Sequence, residues 1–334
     1  MKKNFWQTIK KPIIALAPMA DVTDVSFRYM IAKYGKPDVM WTEFVSADGL
    51  VSAGYDALVK DLQFNKKERP IIAQFFTATP ENMKKAAEIA VKLGFDGIDI
   101  NMGCPDKGVQ KQGAGAMLIK SPKLARETIR AAQEGVAGKI PVSVKTRIGY
   151  TKNELATWLP EILAEEPAAV TVHARTKKEL SLVPARWEHV REAVEIRDSL
   201  GSKTLILGNG DIKDLDEAFL KVHETGADGV MIGRGFFGTP WLCQDLAAKK
   251  KNPRKKVGTG DVTIPERLKR LVEHTKYFEK HVEPHKNFLL MKKHFKAYVS
   301  GFDGAKELRV KLMEAKNSKE ISIIIKQYIK NGLK

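Results

Sequence analysis

The stretch "PVSVKTR" (141–147), followed by "AAVTVHA" (168–174), "KTLILGN" (203–209) and "GVMIG" (229–233), decides the fold. Each is a short apolar run of the parallel-strand type that stops on a polar or glycyl residue. Four more lie upstream: "PIIALA" (12–17), "DVMWTE" (38–43), "PIIAQFF" (70–76) and "GIDI" (97–100). Amphipathic helical patterns separate most of them. In "TPENMKKAAEIAVKLG" (79–94), Pro80 occupies the first turn and Gly94 marks the stop; Ser121, Pro122 and Gly135 have the same places in "SPKLARETIRAAQEG" (121–135). Eight such units predict an α/β fold, a closed (β/α)8 TIM barrel rather than an open doubly wound sheet. Barrel active sites form at the C-terminal ends of the strands. Here those ends carry Pro18 and Met19, Glu43, Gln74, Asn101, Lys145 with Arg147, His173, Asn209-Gly210-Asp211, and Gly233-Arg234.

Past about residue 250 the pattern changes. "KKKNPRKKVGTGD" (249–261) reads as a basic linker, and the helical stretches that follow predict a small all-helical C-terminal domain. The expected domains are therefore 1–245 and 246–334. The second holds 23 Lys and Arg against 9 Asp and Glu, a net +14 of the chain's +17. That asymmetry points to a polyanion, most simply nucleic acid, the alternative being a solvated helical appendage. At 334 residues, 43% hydrophobic and 29% charged, the chain suits a soluble protein, and no apolar run approaches the ~20 residues of a membrane span. The start, "MKKNFWQTIKKPIIALAPMADVTD", is basic then apolar like a signal peptide, but its apolar part is short, contains Pro18 and lacks a small-residue cleavage site. It reads as the first strand. Two cysteines and no such signal predict a cytoplasmic protein without disulfides.

Glycines after the last two runs let backbone amides approach an anion, and Arg234 adds charge, so a phosphate site is expected there. Lys145 and His173 would face the same cavity. A cation beside the pyrimidine edge of a redox ring stabilises its reduced, anionic form, and Gln74 could hydrogen-bond that edge. The alternative is an interior lysine paired with Asp99 or Glu43. Cys104, in "DINMGCPDKGVQKQGAGAML" (99–118), lacks a local histidine base and lacks partners at metal-ligand spacing. A metal centre is not expected. The role of general acid asks only for a protonated thiol above a reacting carbon. "GVQKQGAGAM" would then be a flexible cover.

"APMADVTDVSFR", "DINMGCPDKGVQKQGAGAMLIKSP", "VSVKTRIG", "VHART", "LGNGDI", "GADGVMIGRGFFGTPW" and "MKKHFKAYVSGFDGAKELR" occur in this order over nearly the whole chain. Together they closely resemble the tRNA-dihydrouridine synthases. The resemblance implies an FMN-containing barrel with a tRNA-binding helical domain, and NADPH as reductant. It implies that Pro18, Met19 and Ala20 contact the flavin and that Gln74, Lys145 and His173 hold its ring. Asn209, Gly210, Asp211, Gly233 and Arg234 would receive its phosphate. Asn101 would touch the target uracil, Cys104 would protonate carbon 5 after hydride reaches carbon 6, and Arg147, Arg175 and Thr176 would line the RNA side. A monomer is expected.

"HARTKKELSLVPARWEHV" (173–190) departs from the family pattern, with Arg186 where an Asp is usual and Ala174 for a common Gly, so RNA contacts on this side should differ. Two rival functions are an FMN barrel acting on a free pyrimidine, like dihydroorotate dehydrogenase, and a non-catalytic RNA-binding barrel. The first leaves the basic tail and the "NMGCP" cysteine unexplained. The second leaves unexplained why Cys104, Lys145 and His173 are kept together.

Overall fold

All eight expected runs are strands in the computed structural model, which describes residues 4–259 and 262–331. Residues 1–3 of the first expected domain, 332–334 of the second and 260–261 of the linker lie outside the described residues. The strands are β1 (Ile13–Leu16), β2 (Met40–Ser46), β3 (Ile71–Phe76), β4 (Gly97–Met102), β5 (Val142–Arg147), β6 (Ala169–His173), β7 (Leu205–Asn209) and β8 (Gly229–Ile232). Every ladder is parallel, in the order β1-β8-β7-β6-β5-β4-β3-β2. Helices such as Val25–Tyr34, Pro80–Leu93 and Pro122–Val136 flank this sheet.

The sheet is TIM-barrel-like, but its ladder stops short of the closed barrel that was expected. Between β1 and β2 there is one bridge, Ala15 with Val39. The Leu16 N–H donates to the Val39 carbonyl at 3.0 Å and the Asp38 N–H to that of Ile14 at 2.8 Å. The reason is local. The Asp38 carboxylate accepts the Ile14 N–H at 2.8 Å, and Pro12 has no N–H to offer.

Strand register places the site. Gln74 pairs with Asp99, Asn101 with Lys145, Arg147 with His173, and His173 with Asn209. Residues near the C-terminal ends of five strands are thus neighbours, the register stepping by two residues from Asp99 to Asn101 and from Lys145 to Arg147. Helix Pro80–Leu93 stops as expected on Gly94, at φ +81°. Gly135 does not stop helix Pro122–Val136. It lies inside, where an added Cβ would come 2.3 Å from the Lys84 carbonyl oxygen, and Ala137 takes the left-handed cap at φ +48°. Close packing of two helices, not a turn, requires that glycine.

The helical region has its own apolar cluster, in which Leu271, Phe278, Phe295, Tyr298 and Ile321 pack with Trp241. It docks on helix Val25–Tyr34. Tyr29 stacks on Tyr277 at 4.0 Å, Phe27 lies 5.0 Å from His294, and Tyr34 Oη donates to Glu273 at 2.5 Å. Among the described residues no helix is long and apolar enough to cross a membrane.

Candidate active site

The C-terminal strand ends enclose a cavity of about 270 Å³. Of the expected residues, Pro18, Met19, Gln74, Asn101, Cys104, Lys145, Arg147 and His173 line it. So do Arg175, Asn209, Gly210, Asp211, Gly233 and Arg234. Ala20 is exposed and Thr176 is buried; neither lines the cavity. Phe44, Ser181 and Met231 line it without having been anticipated.

Cys104 is held by a hydrogen-bond relay that starts in the core. Buried Asp99 accepts from Ser143 Oγ at 2.5 Å and from Gln74 Nε2 at 2.6 Å. Gln74 Oε1 accepts from Asn101 Nδ2 at 3.0 Å, and Asn101 Oδ1 accepts the Gly103 and Cys104 N–H groups at 3.1 and 2.9 Å. Each amide orientation is forced by the next, because two backbone donors fix which Asn101 atom is oxygen. Burial raises the Asp99 carboxyl to about 6, against the pull of its two donors and of Lys145. The signal for this anchor is a charged residue inside the apolar run "GIDI"; the participation of Ser143 has no signal in the sequence.

Burial pushes the Cys104 thiol above its ordinary value; a hydrogen bond from the Asp106 backbone opposes the rise, as do Arg147 and Lys145, while the Asp106 charge adds a smaller part to it. The thiol therefore keeps its proton at neutral pH. Its loop is not an open cover: Val109 and Ala114 are buried against Cys104 and Phe76, and the Ala116 N–H donates to the Cys104 carbonyl at 3.1 Å. Gly115, at φ +62°, is required there because a Cβ would come 2.8 Å from Val109 Cγ1 and 2.9 Å from the Cys104 oxygen.

Lys145 pairs with neither suggested carboxylate. Its Nζ donates to Asn209 Oδ1 at 3.1 Å, and Asn209 Nδ2 donates to the Met231 carbonyl at 2.8 Å. Two of the three ammonium donors remain for a ligand. Burial, then Arg147, lowers Lys145 to about 8. Glu43 is instead taken by Lys286 of the helical region, at 2.9 Å. His173 lies well below its ordinary value, first because of burial and then because Lys145, Arg147, Arg175 and Arg234 surround it. Arg175 Nη1 sits 3.1 Å from His173 Nε2. A guanidinium only donates, so Nε2 accepts and the neutral ring carries its proton on Nδ1.

Arg147 spends its donors on backbone, whereas Arg175 divides them between backbone, His173 and Asp211. Arg147 donates through Nε to the Gly103 carbonyl at 2.8 Å, and through Nη1 to those of Thr176 and Leu180 at 3.0 and 2.9 Å. Arg175 Nε donates to the Val183 carbonyl at 2.6 Å, and Nη2 to Asp211. Asp211 also accepts from Arg234 at 2.5 Å and from the Ala185 N–H at 2.9 Å. Its carboxylate thus ties Arg175 and Arg234 together at the cavity wall. In the atypical segment Glu179 accepts the Thr176 N–H and Arg186 Nη2, both at 2.8 Å, so the unusual arginine has its own partner.

A TIM-barrel-like parallel sheet, with lysine, amide and imidazole groups converging under a protonated thiol, defines an enzyme that works at the C-terminal ends of its strands. The chain belongs to the dihydrouridine synthase family: the family described as Dihydrouridine synthase (Dus) matches residues 15–333. It is 39% identical over 330 residues to a probable tRNA-dihydrouridine synthase 2 of Bacillus subtilis (strain 168), covering 98% of this chain and 97% of that one. A probable tRNA-dihydrouridine synthase of Staphylococcus aureus (strain MRSA252) is 37% identical over 331 residues, covering 98% and 96%. Among solved structures, histamine dehydrogenase from Rhizobium sp. 4-9 superposes with a TM-score of 0.54 at 12% identity, over 79% of this chain and 48% of that chain. That likeness is one of fold, and this chain spans about half the length of that protein.

Proposed function

We propose that the chain is an FMN-dependent oxidoreductase that reduces the C5–C6 bond of uridines in tRNA, with Cys104 as proton donor. The observation that carries the proposal is Cys104, its thiol kept protonated and its backbone N–H held by Asn101, in the wall of the cavity that Lys145, His173 and Asn209 also line. The cavity fits a flavin by its donor set and by its cradle. Lys145 has two free donors, His173 offers Nδ1–H, and at Gly233 a Cβ would fall 3.3 Å from Met19 Sδ. When bound, FMN reduced by NADPH would supply the hydride.

Lys145 and His173 would hold the flavin ring, with Gln74 set at its edge by Asp99 and Asn101. Pro18 and Met19 would pack on it, and the backbone of Asn209, Gly210 and Gly233 with Arg234 would take its phosphate. Cys104 would give its proton to carbon 5 of the uracil, and Asn101 would both set the thiol and present its remaining N–H to the base. The sheet is read as closing into a barrel through the Ala15–Val39 seam, with residues 1–245 as the catalytic domain and 246–334 as the tRNA-binding domain. Exposed lysines such as Lys269, Lys276, Lys296 and Lys311 support that assignment, having no carboxylate within 4 Å among the described residues. Their contacts would be with phosphates, giving affinity that falls with salt. The two free cysteines fit the cytoplasm, where the enzyme would act as a monomer.

The test is NADPH-dependent dihydrouridine formation in tRNA by wild type and Cys104→Ala. The variant should keep FMN and tRNA binding and lose at least about a hundredfold in turnover. Unchanged turnover removes the acid role. A colourless wild-type protein that cannot be reconstituted with FMN removes the flavin.

A further inference from the structure

Leu182 is the most exposed large apolar side chain among the described residues, at 83%, while single exposed leucines elsewhere reach 57%. A scattered surface leucine needs no explanation. This one stands beside Ser181, which lines the cavity, on a loop whose backbone is clamped from below. Arg147 holds the Leu180 carbonyl at 2.9 Å and Arg175 holds that of Val183 at 2.6 Å. The Lys177 and Lys178 N–H groups tie the base of the loop to the carbonyls of Gly149 and Tyr150, both at 2.9 Å. The Leu182 N–H closes a turn on Glu179 at 3.0 Å. Leu180 takes φ +55°, a left-handed conformation that costs a non-glycine residue energy and persists only where its surroundings hold it. Two buried, cavity-lining arginines therefore hold an apolar tip rigidly in water at the mouth. The cations at its base, half-buried Lys177 and exposed Lys178, make that rim attractive to phosphates.

An enzyme acting on a base within structured RNA must unstack it, and proteins that part base steps do so with apolar side chains. We propose that Leu182 is the wedge that occupies the gap left in the RNA stack when the uridine turns into the cavity, its height set by Arg147 and Arg175; this rests on the uridine-reducing function proposed above.

The experiment uses the FMN-loaded enzyme and the tRNA whose reduced uridine has first been mapped with wild type. With 2-aminopurine placed next to that uridine, wild-type binding should raise its fluorescence as the step opens. Leu182→Ala should lose at least half of that rise at saturation and about tenfold in kcat/KM, with flavin absorbance unchanged. Leu182→Met should restore both. A full rise with Leu182→Ala, no rise with wild type, or failure of Leu182→Met to restore what Leu182→Ala loses overturns the wedge. Absence of any dihydrouridine with wild type overturns the underlying function instead.

Discussion

At Lys145 a single burial decides a pH dependence. Its ammonium is lowered to about 8, below the ordinary lysine value, so the charged form is the one the free protein disfavours. A bound anionic ligand favours that form. Affinity for FMN should therefore be greatest below pH 8 and fall as the pH rises through it, where the free lysine loses its proton. Titration of flavin fluorescence between pH 7 and 9 checks this, and Lys145→Met should flatten the profile. Lys145, His173 and Cys104 were legible because strand ends in a parallel sheet converge. The work of their neighbours was not. Asn101 looks in sequence like a group for the base, yet its oxygen is spent on two backbone amides of the cysteine loop. Arg147 and Arg175, expected on the RNA side, line the cavity and also hold carbonyls of the neighbouring loops, which the sequence does not signal. Which partner a donor finds depends on the chain packed beside it, and spacing along the sequence carries no record of that.

Elements were legible where a local rule governs them. Apolar runs bounded by polar ends became strands, and Pro80 and Gly94 bounded their helix. Gly135 misleads because the same residue type serves two needs, a left-handed cap and a close approach. Here it is the approach, with helix Pro80–Leu93. Gly135→Val should cost about 1–3 kcal/mol by overpacking, seen as a lower midpoint in urea or thermal unfolding. A melt equal to wild type would mean the helices separate freely. The loop 104–120 teaches the same lesson: its glycines suggest a hinge, whereas Gly115 is there because Val109 and the Cys104 carbonyl leave no room for a side chain.

The whole molecule is joined at the rim of its cavity. Lys286, from the turn after helix Ile264–His281, reaches Glu43 at 2.9 Å and Asp61 at 3.0 Å, with Asp21 at 3.9 Å. Glu43 also accepts the Asp21 N–H, beside the Pro18–Met19 wall. Burial raises Glu43 to about 7, and Lys286 opposes the rise. A carboxyl raised on folding contributes stability below its unfolded value and loses it as the pH climbs through the folded one. Lys286→Met removes the opposing charge. It should cost about 2 kcal/mol near pH 7.5, less than a fully buried pair because the lysine is partly solvated, and should steepen the loss between pH 6 and 8. Adding Glu43→Gln should recover most of it. Urea unfolding at several pH values measures this, and a pH-independent Lys286→Met would refute it.

The sequence by itself determined the order of strands and helices, the convergence of functional types at the strand ends and the concentration of charge in the last quarter of the chain. Those depend on periodicity, turn chemistry and composition, which are local. Only the tertiary structure decided that Asp99 anchors the cysteine loop, that a lysine of the helical region holds Glu43, and that two arginines brace Leu182. Each joins residues distant in sequence, and a buried polar group takes whichever partner packing brings within hydrogen-bond reach.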